Sequence, residues 1–224
     1  MTIAATIGRR VGDQPPCTPL SGSDLQDIDL TSLIERTGTR VLVDLLRIKL
    51  GFPWEVFERA VSPVIEGYAR VVQLRPALDS DLHAHAGGLF IRGLELGSRA
   101  LDFRRGQILP RGAAPEVIGA HAHRWSYAVL VAALLNALRG NPPDDPDGHA
   151  MQVFEGAVPA PVHEWLAEDP ALIRELLAFL SGDESVPAGA IGELVRRAAG
   201  QAPSFERVSQ DQGTQPPAAK RSDE

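Results

Sequence analysis

Four histidines in two His-x-His pairs are the residues best placed for chemistry: His83 with His85, and His121 with His123. Imidazole is a strong ligand for borderline divalent metals, and Asp79 and Asp81 lie close enough in the chain to add carboxylates. In an extended segment, residues two apart point the same way and could share a metal. On a helix they face different directions. The local structure of each pair therefore decides between a divalent-metal site and the plain alternative of surface histidines with no cofactor. The sequence favours the alternative, because only Asp79 and Asp81 tie a carboxylate to the cluster.

Other reactive groups are sparse. Tyr68 and Tyr127 are the two tyrosines, and both sit inside apolar helical patterns. That reads as core rather than nucleophile. Cys17 is a single thiol in a Pro-rich stretch with no evident base beside it, and it cannot form an internal disulfide. A reducing cytoplasm is the expected location. Gly87-Gly88 lacks the Gly-Lys-Ser/Thr ending of a phosphate loop and reads as a helix-start turn. His149 and His163 are isolated.

Net charge is −7, which argues against a general polyanion binder. The middle of the chain differs. Arg92, Arg99, Arg104, Arg105, Arg111, Arg124 and Arg139 face only Glu95, Asp102 and Glu116 between residues 84 and 139. The first six of these arginines are candidate contacts for DNA phosphate or another anion. Arginines on solvated helix faces are the stronger reading.

The elements that must position these groups read as helices almost throughout. Val41, Leu42, Leu45, Leu46, Ile48 and Leu50 form one apolar face, closed by Gly51. Pro53 suits the first position of the next helix, and Pro63 should split or kink it. A third helix should start at Gly87-Gly88. A fourth should run from about His123 to Leu138, apolar nearly all round and therefore central. Residues 141–148 (NPPDDPDG) are a hard stop. Three short helices follow near 160–168, 170–180 and 188–199, the second capped by Asp169 with Pro170 behind it. No stretch alternates with period two, so the expected class is all-α. The expected organisation is a disordered arm (1–23), a helical domain (24–145), short C-terminal helices packed on it (146–202) and a disordered tail (203–224). The longest apolar run, Tyr127 to Leu135, is about half a membrane span.

The ordered pattern YARVVQLRPALDSDLHAHAGGLFIRGLELGSRAL, followed after a loop by HRWSYAVLVAALLNALRG, resembles the N-terminal domain of the TraI/MobH conjugative relaxases. That resemblance covers about residues 40–145. It implies a compact HD-like helical domain of the kind found on plasmids and integrative conjugative elements, with a metal site for phosphodiester chemistry. It also implies where the ligands should stand, and there this chain departs from the family. A histidine triplet is reduced to His83 and His85 around Ala84. The next histidine position holds Arg92, ahead of the retained Leu94-Glu95. A His-Asp pair is Asn136-Ala137. A guanidinium stays cationic and repels a metal ion, and Ala137 offers no ligand atom. The expectation is a non-catalytic, degenerate relaxase-like protein whose partners are DNA or proteins of the conjugation machinery, with no membrane. The other expectation is a metal-dependent phosphodiesterase or nuclease with a rearranged histidine site.

Overall fold

A computed structural model describes residues 28–77, 81–138, 148–183 and 189–200. The fold is all-α, as the helical periodicity implied. Ten α-helices occur among the described residues: α1 Leu30–Thr37, α2 Arg40–Leu50, α3 Trp54–Ala60, α4 Ser62–Val72, α5 Gly88–Arg105, α6 Pro115–Asn136, α7 Gly148–Ala157, α8 Ala160–Ala167, α9 Pro170–Leu180 and α10 Ala190–Ala199. A single 3-10 turn, Asp81–His83, precedes α5. Both proposed tails, and the loop before Gly148, lie outside the described residues.

Local chemistry sets the boundaries. Gly51 ends α2 at φ 70°, a left-handed position that glycine adopts without strain. Pro63 divides α3 from α4 because it has no N–H to continue a helix yet fits a first turn. Pro53 stands one position earlier than expected, as the cap of α3, where its carbonyl accepts from Val56 and Phe57.

One further boundary and two whole helices differ from the sequence reading. The long helix α6 starts at Pro115, eight residues before His123. Its first two turns are mostly exposed and carry no apolar stripe, which hid them from periodicity. Two short helices also went unread. Asp29, whose carboxylate accepts from Ser32 N at 3.0 Å, and Gly38 at φ 65° bracket α1. Glycines sit at both ends of α7, which packs on α4; a Cβ on Gly67 would fall 3.2 Å from Val153.

The core is built on the antiparallel pair α5 and α6, with α2, α4 and α10 also packed on both. Close approach requires Gly97, where a Cβ would lie 2.8 Å from Leu130 Cδ1. From Trp125 to Leu135 only Ser126 escapes full burial, so this half of α6 is the buried centre. Lys49 ties α2 to α5 by bonding Ser98 O, Ser98 Oγ and Asp102 (2.6–3.1 Å). Tyr68 and Tyr127 are wholly buried; their hydroxyls donate to Leu89 O (2.5 Å) and Ala60 O (2.9 Å). Burial pushes both phenols well above the ordinary tyrosine range. They are structural posts.

Asp169 caps α9 as expected. One carboxylate oxygen accepts Leu172 N at 3.1 Å and the other meets His121 Nδ1 at 2.8 Å. Burial raises its pKa, but these bonds outweigh that and hold it below the ordinary value. A carboxylate with a depressed pKa contributes stability above the unfolded value near 4 and loses it as pH falls through the folded value. Asp169→Ala should cost about 1–2 kcal/mol at pH 7. In chemical denaturation at pH 3 the difference from wild type should shrink; an unchanged difference would contradict this account.

Candidate functional site

Residues 73–77 and 81–88 are bonded to one another so that His83 is presented to α5. Backbone bonds fix the arrangement: Gly87 N to Leu74 O (2.9 Å), Leu89 N to Arg75 O (3.0 Å) and Ala77 N to His83 O (2.9 Å). Gly88 permits it, since a Cβ there would lie 2.7 Å from the His83 carbonyl carbon. Gly93 serves the same region. A Cβ on it would fall 2.5 Å from Tyr68 Cζ, so the phenol that anchors Leu89 occupies the space a side chain would take.

His83 is 4% exposed, and its Nε2 stands 3.3 Å from Glu95 Oε2. The same oxygen lies 3.6 Å from an Arg99 guanidinium nitrogen. Glu95 thus bridges His83 and Arg99 through one oxygen. Arg92 is half-buried on the same helix, and its positive charge bears on Tyr68, His83 and Arg99. Burial lowers the His83 pKa and prevails over Glu95, which acts the other way; His85 and Arg92 add to the lowering. Burial likewise lowers the Arg99 pKa, with Glu95 opposing it. Among the described residues the site therefore collects the Glu95 carboxylate, the buried His83 imidazole and the guanidinium groups of Arg92 and Arg99.

The two histidine pairs stand at different places in the fold, His83 against α5 and His121 and His123 on α6. His83 is buried, whereas His85 is exposed with Nδ1 3.1 Å from Ala86 O; their rings are 6.5 Å apart. His121 and His123 both lie inside α6, which removes the extended-loop geometry in which they would point together. His121 turns to Asp169, and His123 turns to Leu50 O (3.3 Å) and the Phe52 ring (5.4 Å). Among the described residues no three His, Cys, Asp or Glu side chains gather at metal-binding spacing. Asp79, Arg139 and Cys17 lie outside the described residues, as do the side chains of Asp81 and His149. His163 packs edge-on to Phe154. Asn136 and Ala137 close α6, half-buried and buried respectively. The antiparallel pairing, with Arg104 against Ala122 and Gly97 against Leu130, carries that end toward the start of α5.

A family model, TraI_2, described as “Putative helicase”, matches residues 26–142, more than half of the chain. The chain belongs to the TraI_2 family. Its TraI_2 region spans α1 to α6 and stops before α7, so α7 to α10 lie beyond the matched residues. No curated protein and no solved structure matches the chain. The family's description names a motor activity. A phosphate loop for such a motor needs Gly-Lys-Ser/Thr, and neither Lys49 nor Lys220 stands in that context.

Five arginines of the TraI_2 region, all of them candidate anion contacts, bond within the chain. Arg99 Nε donates to Ala198 O (3.2 Å) and holds α10 on α5. Arg104 is 7% exposed and donates to Gln107 O (2.9 Å) and Ala122 O (3.3 Å). Arg105 caps the end of α2 through Ile48 O and Lys49 O. Arg111 pairs with Glu193. Arg124 is buried, pairs with Glu168 and lies over the Trp165 ring. Phosphate contacts from Arg104 or Arg124 would require breaking the packing. The sequence could not reveal this, because a count of arginines does not distinguish a carbonyl partner in the same chain from a phosphate outside it. The Glu95–His83 contact also went unread, although the retained Leu94-Glu95 pair was its signal.

Proposed function

We propose that this chain is a non-catalytic, relaxase-like TraI-type protein of a conjugative or integrated mobile element, acting through contacts with protein partners in the cytoplasm. The observation that carries the reading is Arg92, half-buried beside His83 on the helix that also presents Glu95 and Arg99. The HD-like resemblance implies divalent metal at this place, and the residues present do not fit one. A cation entering here meets the guanidinium charges of Arg92 and Arg99, and the Glu95 carboxylate already faces His83 and Arg99. Ala137 supplies nothing to complete a coordination shell. The same arrangement leaves no water activated by metal to attack a phosphodiester.

Protein is favoured over DNA because Arg99, Arg104 and Arg124 already bond within the chain. A nucleic-acid face would instead present a row of solvent-facing cations. The direct test incubates the purified chain with single- and double-stranded DNA and millimolar manganese or magnesium. The reading expects intact DNA at every time point. Cleavage lost in His83→Ala would establish the nuclease alternative, and tight, steeply salt-dependent DNA binding would replace the protein partner with DNA.

A further inference from the structure

A cleft of about 650 Å³ opens where α3 faces α8, away from the Arg92 cluster. Its walls are apolar: Phe52 and Val56 on one side, Val162 and Trp165 on the other. Among the described residues its basic side chains are Arg59 and His123, and no acidic residue lines it. The size falls inside the range of small-molecule sites, which combine an apolar lining with a few placed polar groups.

The polar groups are held in position. His123 Nδ1 lies 3.3 Å from Leu50 O, an acceptor, so Nδ1 carries the proton and Nε2 is left for another partner. Arg59 is exposed, and its Nε donates to Glu55 O at 3.1 Å on its own helix. That bond leaves the two terminal nitrogens of the guanidinium to form a fork for an oxyanion. Trp165 is fixed from behind. Tyr127 meets it edge-on at 5.9 Å, and the Arg124 guanidinium lies 5.3 Å from its ring centre.

We propose that this cleft binds a small amphipathic anion, an apolar chain carrying one carboxylate, with the chain on Trp165, Phe52 and Val162 and the carboxylate on Arg59. The charge of the rim selects the sign of the head group, and the lining selects an apolar body. The proposal stands apart from the reading of the Arg92 cluster, and its test leaves that cluster untouched.

The probes are octanoate, octanol and octylammonium, titrated by calorimetry into the full chain. Octanoate should bind one saturable site about tenfold more tightly than octanol, the scale of one charge-assisted hydrogen bond, and octylammonium should bind more weakly still. Arg59→Ala, at an exposed position, should erase the preference for octanoate while keeping the octanol affinity. Val162→Trp should abolish both, with a thermal melt confirming that the variant folds. Octanoate that fails to saturate, equal affinity for octanoate and octylammonium, or binding unchanged in both variants would overturn the proposal.

Discussion

Gly88→Ala should destabilise the protein by at least about 3 kcal/mol, lowering its melting temperature by roughly 6–12 °C. The new methyl group would have to share space with the His83 backbone, at 2.7 Å from its carbonyl carbon. Backbone cannot swing aside as a flexible side chain would. The Asp81–His83 turn must therefore lift off α5, and the 3.3 Å contact between His83 and Glu95 goes with it. Gly119→Ala supplies the control. It lies in an exposed turn of α6 with nothing within 4 Å of a new Cβ, so the gain in helix propensity should stabilise by about 0.5–1 kcal/mol. Calorimetric melts of the two variants should move in opposite directions. A neutral Gly88→Ala would mean that His83 is not packed against α5 as described.

The second large effect is expected at Arg104. Its side chain is 7% exposed, and its two bonds join the end of α5 to the Gln107 turn and to Ala122 of α6. Arg104→Ala removes both bonds and opens a cavity at the most extensive helix contact in the fold, at a cost of about 2–4 kcal/mol. Arg111→Ala loses an exposed pair with Glu193 and should melt close to wild type. A phosphate-binding role predicts a different pattern: both variants would weaken DNA binding and neither would unfold the protein. Melting curves and DNA titrations on the same two variants separate the accounts.

These two residues show what the sequence could and could not convey. Glycine at 88 was legible as a helix start because helix ends have local signatures, and the same local rules gave Gly51, Pro63 and Asp169 their places. The buried half of α6 was legible because an all-round apolar helix has only one place to go. Its first two turns were not, since exposed polar turns carry no period. The two histidine pairs could be located but not resolved. Only the helix that contains His121 and His123 separates them, and only the packing of Gly88 buries His83 while leaving His85 outside. The cleft drew no signal at all. Phe52, His123 and Trp165 are far apart in sequence and meet only once α3, α6 and α8 are assembled.

The central claim is that the Arg92 cluster has exchanged metal-ion chemistry for fixed guanidinium charge. Its most direct test is elemental analysis of the purified, tag-free protein after incubation with zinc, manganese and nickel and removal of unbound ions. The account predicts far less than one ion per chain, with no difference between wild type and His83→Ala/His85→Ala. One or two tightly held ions per chain, lost in that double variant, would contradict it and restore a metal-dependent phosphodiesterase as the function to pursue.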